Sequence, residues 1–243
     1  MNKSPLSNID GILLDMNSTF MFEEDNFDAQ QDYYKTYLEL NGKRLSKNSV
    51  NNIIRDCYNG MAILYKDSEY FENFPLVKDA FALFSKEAKD LPDEDLNVLT
   101  DVFAIHELGE IPEEYANFIT ALSKDFVLRL VANIWSPKNR WIEELQKSHI
   151  KDLFEVLVFS SDDSFMKPSP KIFQKALSGF SVKDPSRIAF IGDSLFYDIR
   201  GASGMGLKTI WIDKTAYQKS EFKGVADTII PDLLYLKESY LPK

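Results

Sequence analysis

Five residues carry spacing that chemistry could use. In GILLDMNST, Asp15 stands directly after the apolar run Ile12, Leu13 and Leu14, and Asn17 follows it closely. In IAFIGDSLFYD, Asp193 ends a second apolar run and Asp198 lies one helical turn beyond it. Taken singly, an aspartate after an apolar run more often starts a turn or caps a helix. Three carboxylates converging on one crevice would repel unless a cation neutralised them. An all-oxygen donor set without histidine or thiolate suits Mg²⁺. The fifth residue is Lys167, in SSDDSFMKPSPKIF, where Pro168 and Pro170 impose an extended loop ahead of a helix that Ser169 caps. A lone lysine before proline is usually solvated, but an ammonium there could balance a nucleophile and a transferring phosphoryl group.

A further stretch, VANIWSPKNRW, offers candidate substrate-binding groups. Asn133 would present an amide donor where a strand ends, and Ser136 a hydroxyl just beyond. Ser136 followed by Pro137 also reads as a helix N-cap with proline at the first helical position.

These residues need elements to position them. Residues 11–14, 126–133, 156–160, 188–193, 207–212 and 227–230 read as short, apolar strands buried on both faces. Helical patterns at 112–123, 141–149, 170–178 and 196–202 alternate with the later strands. Strands spaced by helices imply right-handed crossovers and a mostly parallel sheet covered on both faces, a Rossmann-like α/β core. Ligands in such sheets bind outside the carboxyl ends of the strands, where Asp15 and Asp193 stand. Between Phe22 and Pro112 the pattern is helical instead, over 23–40, 49–61, 75–89 and 93–108, with Asn41-Gly42 as a stop. The expected organisation is a core of residues 1–22 and 112–243 interrupted by a helical insert, 23–111.

Composition narrows the class. At 243 residues, with about 150 residues per domain as a guide, the chain accommodates one large domain or one domain with a substantial insert. The formal net charge of -10 argues against nucleic acid and anionic membrane surfaces as partners. A single cysteine, Cys57, excludes an internal disulfide framework and reads as buried packing. MNKSPLSNID lacks the apolar stretch of a signal peptide, and no apolar run approaches membrane-spanning length, so a cytoplasmic location is expected. His106 and His149 are the only histidines and read as surface or capping residues. Arg55 and Lys43 of the insert could meet a substrate's anionic tail, but a solvated face is the default. Phe20 and Phe22 are expected to pack the insert against the core.

The order ILLDMNST, a strand ending near Asn133, KPSPKIF and IGDSLFYD resembles the four motifs of the haloacid dehalogenase-like hydrolase superfamily. The branch with a helical cap inserted after the first motif is the most similar. The resemblance spans nearly the whole chain; within the cap it rests on position and helical character alone. It implies Asp15 as the nucleophile that forms an aspartyl-phosphate. It also implies Mg²⁺ held by Asp15, the Asn17 carbonyl and Asp193, with Asp198 bound directly or through water, and Lys167 as the neutralising charge. The implied substrate is a small, anionic, phosphorylated molecule.

Two positions depart from the family pattern. Phosphatases of this family carry aspartate two residues after the nucleophile, as general acid and base; here stands Asn17, whose amide has no proton to give at neutral pH. Ala132 occupies the place of the family's serine or threonine. The departures leave several readings open. The favoured one is a Mg²⁺-dependent phosphohydrolase restricted to good leaving groups. A 2-haloacid dehalogenase needs neither the acid nor a metal. A phosphonate hydrolase needs a cap lysine, for which Lys35, Lys43 and Lys47 are candidates. The last is a binding or regulatory module with little turnover.

Overall fold

The computed structural model describes residues 4–217, 219 and 222–240. Six parallel strands form one sheet: β1 (Gly11–Leu14), β2 (Val127–Ala132), β3 (Phe154–Phe159), β4 (Ile188–Gly192), β5 (Lys208–Ile212) and β6 (Thr228–Ile230). Their order in the sheet is β3-β2-β1-β4-β5-β6, so the first strand lies between two that come much later in the chain. Leu14 sits opposite Leu130 of β2 and Ile191 of β4, which brings three strand ends level. The strand order therefore reverses at β1, and a crevice opens there at the carboxyl ends.

The alternation along β1 explains its central place. Ile12 and Leu14 join one apolar layer with Leu130, Trp141 and Phe118, while Leu13 joins the opposite layer with Val131, Phe173 and Phe190. All three are fully buried, as a strand covered on both faces requires. The helices that provide this cover include α5 (Glu113–Leu122), α6 (Asn139–Lys147) and α7 (Pro170–Leu177). A charged side chain is also buried beneath the sheet. Arg129 of β2 is buried, and its guanidinium donates to the carbonyls of Ala176 and Ser178 at the end of α7 and pairs with Glu155 at 2.6 Å. A cation at a helix C-terminus is favourably placed against the unsatisfied carbonyls.

Between β1 and α5 the chain is helical: α1 (Tyr33–Glu39), α2 (Lys47–Leu64), α3 (Val77–Phe84) and α4 (Asp93–Glu107). These helices share an apolar cluster that includes Tyr33, Ile54, Phe81 and Phe103, with buried Cys57 among them. The helix expected from residue 23 begins only at Tyr33. Glu23 and Asp25 have φ of 60° and 59°, a left-handed backbone that no right-handed helix can include. The pattern over 75–89 is likewise divided, because Ser85 is extended and separates α3 from a 3₁₀ turn, Lys86–Ala88. Residues expected as one helix after β4 form a π-helical turn, Leu195–Arg200, followed by α8 (Gly201–Gly204). A last helix, α9 (Tyr235–Tyr240), carries no signal that the sequence reading used. Among the described residues no helix is long and apolar enough to cross a membrane.

Candidate active site

Asp15 leaves β1 with its N–H still bonded to the Ile191 carbonyl at 2.9 Å, so the sheet fixes its backbone. The chain then turns sharply, with the N–H groups of Thr19, Phe20 and Met21 all reaching the Met16 carbonyl. This turn returns the Thr19 hydroxyl to Asp15 Oδ2 at 3.1 Å, a contact the sequence reading missed. Asn17, at the mouth of the turn, has its Oδ1 buried with no partner among the described residues.

Asp193 leaves β4 beside it, its carbonyl held by the Trp211 indole N–H at 2.8 Å. The π-helical turn then brings Asp198 back beneath the strand end, where its Oδ2 accepts the Ser194 N–H at 2.9 Å. The Ser194 hydroxyl caps the turn by accepting the Tyr197 N–H. Gly192 makes this approach feasible, since a Cβ there would lie 2.5 Å from Asp198 Oδ2.

Lys167 enters from the loop after β3. Its ammonium contacts Asp15 and lies 2.7 Å from Asp198 Oδ1, with all three side chains buried. Asn133 at the end of β2 clamps the lysine backbone on both sides: Oδ1 accepts the Lys167 N–H at 2.8 Å, and Nδ2 donates to the Lys167 carbonyl at 3.1 Å. The same Nδ2 donates to the Tyr65 hydroxyl at 3.1 Å. With both amide hydrogens engaged, Asn133 holds Lys167 in place rather than offering a free donor to substrate.

The three carboxylates offer ligand oxygens all within 4.8 Å of one another. Burial and the charges of Asp15 and Asp198 push the Asp193 carboxyl up to about 8. Asp198 is pushed up to about 6 by burial, which the adjacent Lys167 only partly offsets. Burial alone would lower the Lys167 ammonium, but Asp15 and Asp198 outweigh it and hold the pKa above its ordinary value. Negative charge thus exceeds what one lysine neutralises, and an oxygen-preferring divalent cation fits this donor set.

The crevice above these groups has a volume of about 410 Å³. Its far wall comes from the helical segment and the β2 loop: Tyr58, Tyr65, Lys66 and Glu107 with Trp135. Tyr58 and Tyr65 read from the sequence as insert aromatics that are core by default, some of them free to face the crevice, and nothing in the local pattern of Lys66, Glu107 or Trp135 marks a crevice wall. Glu107, at the end of α4, is buried, and its two oxygens accept the backbone N–H groups of Trp135 at 2.6 Å and Ser136 at 2.9 Å. Burial raises its carboxyl to about 7.

Other candidates lie elsewhere. Ser136 is fully buried and is not among the crevice-lining residues. It caps no helix either: α6 starts at Asn139, and the preceding turn instead gives its amides to Glu107. Lys35, Lys43 and Lys47 are exposed and do not line the crevice, whereas Lys66 does. Arg55 donates to the Gln31 carbonyl within the helical segment. His106 is buried rather than superficial, with Nε2 2.9 Å from the Thr36 hydroxyl; His149 is exposed. Phe20 is buried against Phe154, and Phe22 packs edge-on to Tyr115 with ring centroids 4.8 Å apart.

Comparison with known proteins agrees with this layout. A family model described as haloacid dehalogenase-like hydrolase matches residues 9–206. A glyceraldehyde 3-phosphate phosphatase from Pyrococcus furiosus is 31% identical over 207 residues, which cover 79% of this chain and 82% of that protein. Among solved structures, a phosphatase of the same superfamily from Thermococcus onnurineus superposes with a TM-score of 0.61 at 23% identity, covering 95% of this chain and 97% of that one. A 2-haloacid dehalogenase from Pseudomonas syringae shares the fold equally well, with a TM-score of 0.59, 20% identity and coverage of 95% and 97%.

Proposed function

This chain belongs to the haloacid dehalogenase-like hydrolase family and is a hydrolase, and on that premise we propose a Mg²⁺-dependent phosphohydrolase that acts on a small phosphorylated metabolite through an aspartyl-phosphate on Asp15. One observation carries the reading: Asp15, Asp193 and Asp198 crowd their oxygens within 4.8 Å around a single buried lysine. A dehalogenase would need no metal and would leave Asp193 unbalanced among like charges.

The proposed roles combine the family pattern with this geometry. A carboxylate oxygen of Asp15 attacks phosphorus, the bond from phosphorus to the leaving oxygen breaks, and the electron pair departs with that oxygen. Water then attacks the phosphorus of the acyl phosphate, the bond from phosphorus to the Asp15 oxygen breaks with its electron pair restoring the carboxylate, and inorganic phosphate leaves as the water's proton passes to solvent. Thr19 and Lys167 orient the Asp15 side chain, and the lysine ammonium offsets charge on the transferring group. Mg²⁺ held by Asp15, Asp193, Asp198 and the Asn17 carbonyl would supply Lewis-acid stabilisation of the phosphoryl oxygens. Asn17 can hydrogen-bond but not protonate, so the leaving oxygen must depart largely without an acid. A missing general acid typically costs about 10²–10⁴-fold, most heavily for poor leaving groups, which favours aryl and acyl phosphates. Residues 23–111 serve as the cap that closes the crevice and selects the substrate.

The test is phosphate release from p-nitrophenyl phosphate and acetyl phosphate. Release is expected to require Mg²⁺ and to fall to background in Asp15→Asn. No release from either substrate would remove the reading, and chloride release from 2-chloropropionate in EDTA would replace it with the dehalogenase.

A further inference from the structure

Tyr65 closes α2 and reaches the crevice from the helical segment, and everything about it except its hydroxyl proton is held. Its N–H bonds to the Met61 carbonyl at 2.8 Å, and its own carbonyl accepts the Tyr197 hydroxyl at 3.0 Å. The ring is packed on Tyr197, with centroids 4.6 Å apart, on Trp135 at 5.6 Å and edge-on to Phe74 at 6.1 Å.

The hydroxyl oxygen accepts from Asn133 Nδ2, so the phenol's one proton must point elsewhere. Its contact with the Asn133 amide is through Nδ2, which is itself a donor, while Oδ1 faces the Lys167 N–H. Among the described residues no acceptor for the proton is found, and Tyr65 lines the crevice together with Asp15 and Asp198. Of the hydroxyls that follow Asp15 in the chain, Thr19 donates to Asp15 and Ser18 to Glu24. Ala132, at the end of β2, has only a methyl group.

Resting on the phosphohydrolase reading, we propose that the Tyr65 phenol donates a hydrogen bond to an oxygen of the phosphoryl group seated on Asp15. Burial, together with the charges of Tyr197, Asp198 and Asp15, holds the phenol well above its ordinary pKa, so it is a donor throughout the working pH range. No proton is transferred, so Tyr65 stabilises charge and does not replace the acid that Asn17 lacks. A donor already in place strengthens as charge builds on the equatorial oxygens, which places its effect in the transition state. Tyr65 lies in the segment between β1 and α5, so the contact exists only while that segment is docked on the sheet.

Tyr65→Phe keeps the ring and its packing and deletes only the hydroxyl. The expected result is a fall in kcat of about 10²-fold on p-nitrophenyl phosphate, with KM changed less than kcat and vanadate inhibition weakened in parallel. Asn133→Ala separates direct from indirect action. If Tyr65 works only by steadying Asn133, the double variant equals Asn133→Ala; if it touches the phosphoryl group, the double variant loses a further factor. A Tyr65→Phe rate within twofold of an active wild type overturns this inference alone, as does equality of the double variant with Asn133→Ala. A wild type with neither turnover nor vanadate binding overturns the phosphohydrolase reading as well.

Discussion

The Lys167 ammonium lies 2.7 Å from Asp198 Oδ1, a pairing of two side chains that are both almost fully buried. The same ammonium contacts Asp15, so a single cation joins the ends of three strands, β1, β3 and β4. Removing it leaves two buried carboxylates without compensation. Lys167→Gln is therefore expected to lose about 3–5 kcal/mol of stability, the usual cost of breaking a buried pair. It should also regain more of its melting temperature on adding Mg²⁺ than the wild type does, because the ion takes over the neutralising charge. Urea and thermal melts with and without Mg²⁺ measure both effects. A variant as stable as the wild type in EDTA would show that the lysine carries no such burden.

The amide at position 17 should decide which leaving groups the enzyme handles. With Asn17→Asp, a carboxyl stands at the crevice where a proton can be given to a departing alkoxide. Turnover of an alkyl ester such as glycerol 3-phosphate is expected to rise by about 10²-fold or more. Turnover of p-nitrophenyl phosphate, whose phenolate leaves unaided, should rise less, since only the attack of water then gains a base. Steady-state rates on the two substrates make the comparison, and equal gains on both would contradict a missing acid.

Glu107 links the end of α4 to the loop after β2, and burial raises its carboxyl from the ordinary 4.5 to about 7. The folded protein therefore holds this proton more tightly than the unfolded chain. The contribution to stability is complete below about pH 4.5 and is lost as the pH rises through 7, amounting to about 3 kcal/mol by linkage. Glu107→Gln should flatten this part of the pH profile. It should also lower stability at pH 5, because the amide NH₂ cannot accept the N–H that one carboxyl oxygen took, a loss of about 1–3 kcal/mol. Chemical denaturation at pH 5, 6, 7 and 8 resolves both effects. An unchanged slope in the variant would mean that another group titrates.

Most of the framework was legible along the chain. The apolar run before Asp15 and its counterpart before Asp193 became the adjacent strands β1 and β4, because an uninterrupted stretch of Ile, Leu and Phe can be buried on both faces only inside a covered sheet. The helical character of the long segment after Phe22 was equally plain, and α2 and α4 formed close to their expected spans. The segment around residue 25 was misread because tertiary pairing, Phe22 with Glu110, and left-handed turns overrode its helical composition.

Sequence alone determined which charged groups come together: Asp15, Asp193, Asp198 and Lys167 are the residues that strand ends and a proline-bounded loop commit to one edge of the sheet. Only the tertiary structure decided how each is used. Asn133 spends its amide on the Lys167 backbone, Ser136 is drawn away by Glu107, and Tyr65 and Thr19 arrive beside Asp15. Hydrogen-bond allegiance depends on which neighbour arrives at 3 Å, a property of packing between distant segments that local periodicity does not encode.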